Sequence, residues 1–304
     1  MKTYEAGAAG YKYSRFVQFT HEIHDKVYLF IWLCVGYMSK MKTIKTFMDL
    51  LAFLTIIPLG KTDDFVVTSA EAMYLFPVIG GFIGLLAAAY FAGCNFLITH
   101  IFSLISSLSQ FPTALLTQIL PAVMTLAFIL VLTGLQHFDG LVDLGNAVGV
   151  GGIKERRVAA HVWTVTYKGA LLAIFVEFLA ILGLFLMKAE SAFGVIIAAE
   201  VAAKLGMVTI ACLGKSTHSG LGALFVEAAK RKRNLAAYFL AILIVYPLLG
   251  WLGFLAIFVS VLLGAFMCGV AHNVFGGVSG DAIGATNEIT RAMVLLLMAW
   301  VLMS

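Results

Sequence analysis

Residues 169–187 read GALLAIFVEFLAILGLFLM, with Glu177 as the only ionisable side chain. At about 1.5 Å per residue, a helix of this length crosses the roughly 30 Å hydrocarbon core of a bilayer. The run has no polar face, and a helix that is apolar all round belongs in a large core or in lipid. Similar runs recur at about 76–99, 118–136, 191–213, 236–250, 252–272 and 290–303. The whole chain is 62% hydrophobic and 12% charged. Soluble domains are usually about 45–50% apolar and roughly 25% charged. The expected fold is therefore all-α: a polytopic transmembrane helical bundle of about seven spans, with the lipid bilayer as its solvent.

Two stretches stand apart from the spans. Residues 47–58 form an apolar run of half-span length ending at Pro58-Leu59-Gly60, which reads as a short N-terminal inserted helix. Residues 1–40 are polar up to Lys26 and then carry an apolar run, Val27–Met38, too short to cross. No small-residue cleavage site follows, so a secretory signal is not expected. Met38 and Met41 are alternative starts, and 1–40 reads as an extension with 41–304 as the membrane domain. His21 and His24 form a weak metal spacing there. The four cysteines lie in apolar stretches without metal-like or disulfide-like spacing.

The charge pattern sets an orientation. The net charge is +4, and basic residues gather at Lys154, Arg156, Arg157 and Lys168, and again at Lys215 and 230–233. The positive-inside rule then assigns 60–75, 137–168, 214–234 and 273–289 to the cytoplasmic side of the plasma membrane. Charge of this size and placement gives no reason to expect nucleic acid as a partner. Every polar motif falls on that one face, whereas a transporter more often holds its key polar groups near the midplane.

The first motif is His137-Phe138-Asp139-Gly140-Leu141-Val142-Asp143-Leu144-Gly145-Asn146. On a helix, Asp139 and Asp143 are i,i+4 and share a face, with Asn146 three further on. Two like charges at that spacing repel unless a cation lies between them. Mg²⁺ is bound in this way, by one or two carboxylates plus substrate phosphates. The plainer reading is a solvated loop with two ordinary acids. The second motif is Gly149-Val150-Gly151-Gly152 followed by Lys154, Glu155, Arg156 and Arg157. Glycines expose backbone amides to an anion, and the cations neutralise phosphate charge. The plainer reading is a topology signal.

The third motif is Gly276-Gly277-Val278-Ser279-Gly280-Asp281-Ala282-Ile283-Gly284-Ala285-Thr286-Asn287-Glu288. Ser279 is placed to cap a helix. Asp281 and Glu288 would then share a face, as metal ligands or a general base, with Asn287 beside them. The alternative is a helix-packing segment. Glu200 and Lys204, i,i+4 inside an apolar run, read as a functional pair or a self-neutralised one, and Glu177 is read the same way. Gly80 and Gly84 form G-x-x-x-G, a helix-contact pattern.

Together, Gly134–Asp143, Lys154–Arg157 and Gly276–Glu288 resemble cobalamin synthase, the adenosylcobinamide-GDP ribazoletransferase family. Phe53–Pro58, Phe76–Gly80 and Gly220–Glu227 add to the resemblance, which covers about 43–304. It implies a Mg²⁺-dependent transferase for substituted phosphate groups, acting last in building the cobalamin nucleotide loop. A hydroxyl of α-ribazole, or of its 5′-phosphate, would attack the cobinamide-linked phosphorus of adenosylcobinamide-GDP and release GMP. Asp139 and Asp143 would hold the metal. Lys154, Arg156, Arg157 and Lys204 would bind phosphate, and Asp281 or Glu288 would act catalytically. Asn146, Asn287, Glu200 and His137 are further candidates. The sequence departs from the family pattern twice. Asn146 stands near where a third Asp is usual, and 161–169 lacks the Asp and Arg of a Lys-Asp-Ser-Arg-Ile-Gly stretch. Two other classes compete: a CDP-alcohol phosphotransferase-like enzyme, whose denser acidic run is absent, and a small-solute transporter using Glu177, Glu200 and Lys204.

Overall fold

The computed structural model describes residues 42–59, 64–108, 113–160, 164–217 and 220–303. The extension 1–40 with His21 and His24 lies outside the described residues, as do His161 and His218. Among the described residues the chain is helical and contains no strand. In order the helices are α1 (Lys42–Leu54), α2 (Phe65–Glu71), α3 (Phe76–Leu108), α4 (Ala114–Leu132), α5 (Gln136–Ala147) and α6 (Ile153–Ala160). They continue with α7 (Tyr167–Leu186), α8 (Ala189–Leu213), α9 (Leu221–Ala229), α10 (Ala236–Leu249), α11 (Trp251–Phe275) and α12 (Gly280–Met303). Seven of these segments are long and apolar enough to cross a membrane: those holding α3, α4, α7, α8, α10, α11 and α12.

The centre of the bundle is α8, which packs against α3, α10, α11 and α12. Every residue from Val195 to Ala211 is buried. That segment is rich in alanine, and small side chains suit a buried helix in lipid. Association there gains little from the hydrophobic effect and depends on close backbone approach. The G-x-x-x-G pair of α3 supplies the matching surface. A Cβ on Gly84 would lie 2.7 Å from the Ile197 Cα, and one on Gly80 would lie 2.9 Å from Lys204 Cγ.

Several boundaries differ from the sequence reading, among them that of the span read at 118–136, which is Ala114–Leu132. The inserted helix is Lys42–Leu54, not 47–58, and α3 continues past 99 to Leu108. The largest difference is α12, which starts at Gly280 and not near 290. Ser279 acts as expected, its Oγ accepting from the Ala282 N–H at 3.2 Å. The polar turns that follow are buried, from Ala282 to Glu288. An apolar run does not find them, because their polar groups are satisfied by neighbouring helices rather than by water.

The polar loops meet at one end of the bundle. Arg156 Nη1 donates to the Asn273 carbonyl at 2.8 Å, and Arg157 Nε donates to that of Phe275 at 2.8 Å. The Val278 N–H donates to the Lys215 carbonyl at 2.7 Å. Arg231 pairs with Glu71 at 3.1 Å. α6 and the segment after α8 are thereby tied to the end of α11, and the segment after α9 is tied to α2. The Arg156 and Arg157 bonds also satisfy carbonyls at the end of α11, where cations complement the helix dipole.

Substituting Gly84 by Val should lower the stability of the detergent-solubilised protein by about 2 kcal/mol or more, since backbone lies where the new side chain must go. Gly93→Ala, where a Cβ meets nothing within 4 Å, should be neutral. Thermal unfolding of both variants checks this, and equal midpoints would show that the α3–α8 contact is loose.

Candidate active site

The turn before α5 is tight. Gly134 and Leu135 both take left-handed backbone, with φ of 65° and 60°. A leucine there is strained by roughly 1–2 kcal/mol. The turn is held from outside by the Ile56 N–H, which donates to the Leu132 carbonyl at 2.8 Å. It redirects the chain so that α5 lies across the start of α12. The two helices approach through glycine: a Cβ on Gly140 would lie 2.7 Å from the Asp281 carbonyl oxygen.

That contact sets Asp139 and Asp281 on one cavity of about 170 Å³. Its polar side also carries Gln136, His137 and the backbone of Gly280 and Gly284. Its apolar side is Phe53, Phe76, Met207, Leu221 and Phe225, drawn from α1, α3, α8 and α9. A second cavity of about 160 Å³ also borders Asp281, between Thr217, Gly220–Ala223 and Ser279. Asp281 Oδ2 accepts from Ser279 Oγ at 3.3 Å. Asp143 is one turn further along α5, half-buried, and does not line the first cavity.

His137 lines the first cavity while being only 4% exposed, and its Nδ1 has no hydrogen-bond partner among the described residues. Burial, then the positive charges of Lys204 and Arg291, hold its imidazole well below the usual histidine range.

Other candidates are placed elsewhere. Lys154 is exposed on α6. Arg156 donates through Nε to the Val150 carbonyl at 2.7 Å as well as to Asn273. Asn146 is buried and clamps the approach to α7. Its Oδ1 accepts from the Thr166 N–H at 3.0 Å and from Thr166 Oγ1 at 2.7 Å, and its Nδ2 donates to the Thr164 carbonyl at 3.3 Å. Thr166 Oγ1 in turn accepts from the Gly169 N–H at 3.2 Å, capping α7.

Deeper in the bundle lies a buried ionic network. Lys204 is 0% exposed, with Nζ 2.6 Å from Asn287 Oδ1 and 3.7 Å from Glu200 Oε2. Asn287 Nδ2 donates to Glu288 at 3.0 Å. Arg291 contacts Glu288 and lies 3.5 Å from both Glu177 and Glu200. The structure therefore does not bring Glu288, Glu200, Asn287 or Lys204 to the first cavity. The sequence reading missed Arg291. Its signal was present: Lys204 neutralises one carboxylate, so Glu177 and Glu200 in apolar spans already required a second buried cation.

The acids fit a hard cation of the Mg²⁺ type. No cluster of three or more His, Cys, Asp or Glu that could hold a metal exists among the described residues, which excludes a closed protein cage there. Asp139 on the cavity, with Asp143 one turn further along the same helix, would suit Mg²⁺, which keeps several waters and leans on substrate phosphates.

A family model described as cobalamin-5-phosphate synthase matches residues 46–299. A relative named adenosylcobinamide-GDP ribazoletransferase from Methanosarcina barkeri is 29% identical over 270 residues, covering 81% of this chain and 89% of its own. One of the same name from Methanocella arvoryzae is 31% identical, covering 83% and 94%. Another, from Thermococcus onnurineus, is 36% identical over 199 residues, covering 63% and 82%. No solved structure matches.

Three substitutions test this geometry. Arg291→Met should cost about 3–5 kcal/mol by leaving buried carboxylates uncompensated, and adding Glu288→Gln should recover part of the loss, giving a non-additive double-mutant cycle in thermal unfolding. Asn146→Asp should cost about 1–3 kcal/mol, because its second oxygen would face the Thr164 carbonyl where an N–H now donates. Unchanged stability in that variant would mean that Asn146 does not hold the 164–166 segment.

Proposed function

The chain belongs to the cobalamin-5-phosphate synthase family, and we propose that it joins α-ribazole, or its 5′-phosphate, to adenosylcobinamide-GDP with release of GMP. The observation that carries the reading is the meeting of Asp139 and Asp281 on one cavity, at the end of a membrane bundle where the basic loops also gather. A transporter would need Glu177, Glu200 and Lys204 as open binding groups. They are engaged with Arg291 and with one another.

In the proposed reaction the ribazole hydroxyl oxygen forms a bond to the cobinamide-linked phosphorus. The bond from that phosphorus to the GMP oxygen breaks, and GMP leaves with the electron pair. Asp281 accepts the hydroxyl proton, since it faces the cavity while Glu288 is held by Arg291. Asp139, with Asp143 on the same face of α5, would hold Mg²⁺, which would supply positive charge against the pyrophosphate oxygens. Lys154, Arg156 and Arg157 bring further positive charge to the same end. The two arginines are anchored by backbone carbonyls, so their planes are fixed before substrate arrives. Such transfers depend mostly on positioning and charge stabilisation, with little covalent work for the protein. Lys204 supports the site from beneath by holding α12 and does not meet a phosphate. The lysine and arginine distribution assigns this end to the cytoplasm, with the protein in the plasma membrane.

The test is GMP release by the purified full-length protein supplied with adenosylcobinamide-GDP, α-ribazole and Mg²⁺. Release should require all three components. It should stop on chelation and fall roughly a hundredfold or more in Asp139→Ala and Asp281→Asn. Turnover in either variant at the wild-type rate, with the protein folded, would remove that residue from the mechanism. A wild type that releases no GMP would reject the reaction itself.

A further inference from the structure

The first cavity has two chemically different halves, and the reaction above uses only one of them. Asp139, Asp281 and His137 line the polar half. The other half is an aromatic wall. Phe53 and Phe225 stack with ring centroids 5.1 Å apart and planes inclined by 25°. Phe76 lies 6.0 Å from Phe225 at 51°. Three helices distant in sequence each supply one ring. Phe53 and, at its 4% exposed edge, Phe225 line the cavity beside the acids, and Phe76, 0% exposed, backs them.

We propose that this wall seats the aromatic base of the ribazole, and that it thereby presents the ribose hydroxyl to Asp281. The proposal rests on the reaction given above. An occupant of the cavity needs a flat apolar body joined closely to a polar group that reaches the acids. The corrin macrocycle is far too large for about 170 Å³. Guanine carries an exocyclic amine, a ring N–H and a carbonyl, and the phenylalanine wall has no partners for them. Buried unpaired, each would cost binding energy. A ribosylated benzimidazole has a single unsubstituted ring nitrogen to satisfy. That nitrogen can be met from the polar half, where Gln136 and His137 also line the cavity. Aromatic side chains bind bases through their faces and tolerate variation in the base.

Two variants of opposite kind test the assignment in the full-length protein. Phe225→Leu shortens the wall, and should raise the KM for α-ribazole about tenfold while leaving the KM for adenosylcobinamide-GDP within about twofold. Leu221→Trp, at a half-exposed rim position, fills the cavity. It should abolish binding of α-ribazole, followed by the fluorescence of the base with no second substrate and no metal present, while thermal unfolding stays as in the wild type. A rise in the KM for adenosylcobinamide-GDP, alone or together with that for α-ribazole, would overturn the proposal and point to guanine in the cavity. Unchanged values for both substrates would overturn it as well. The direct binding measurement separates the two readings. A wild type that binds α-ribazole through this wall but releases no GMP rejects the reaction and keeps the site, and one that releases GMP with its ribazole affinity indifferent to both variants does the reverse.

Discussion

The interaction on which the rest depends is the contact of the Arg291 guanidinium with carboxylates from three helices: Glu177 of α7, Glu200 of α8 and Glu288 of α12. A charge at this depth has no water to turn to, and separating it from its partners costs several kcal/mol. The network therefore acts as a register lock. α7, α8 and α12 can slide or rotate relative to each other only by breaking it. Lys204 extends the lock through Asn287. The glycine pair of α3 packs over Glu200 and Lys204 and closes the last side. The alanine-rich sequence of α8 follows from the same demand, because large side chains would hold the partner helices too far apart for the charges to meet.

Asp281 begins the helix that this lock positions. Asp281 and Glu288 share a helix face by spacing, but at about 1.5 Å per residue they differ in depth by roughly 10 Å. That difference separates two roles for one chemistry. The shallower acid borders a cavity with Asp139. The deeper one is consumed by Arg291. The site's precision then comes from buried groups that never touch substrate, on a helix and not on a loop, and its second wall is set by the strained turn at Gly134 and Leu135.

The spans were legible in the sequence because lipid imposes length and composition on each helix separately. The i,i+4 face of Asp139 and Asp143 and the cap at Ser279 were legible for the same reason, as local geometry. What could not be read was which distant residues meet. The pairing of Asp139 with Asp281 depends on Gly140 lying against α12, and nothing near Asp139 in sequence announces it. The start of α12 was misplaced because hydropathy treats Asp281, Asn287, Glu288 and Arg291 as polar, although inside the bundle they are matched. The aromatic wall was hidden differently: phenylalanines in apolar runs look like lipid-facing residues until three of them converge.

The two departures from the family pattern, Asn146 and the 161–169 stretch, are separated in sequence but meet at Thr164 and Thr166. Asn146 accepts twice from Thr166 and donates to Thr164. Only an amide can do both. A carboxylate here accepts from Thr166 equally well but meets the Thr164 carbonyl with a second acceptor. Conversely, the 164–166 turn in this conformation calls for a donor at 146. The clamp faces α7, whereas Asp139 and Asp281 face the cavity on the other contact of α5, the one made with α12. The clamp therefore lies apart from the pair of acids on the cavity.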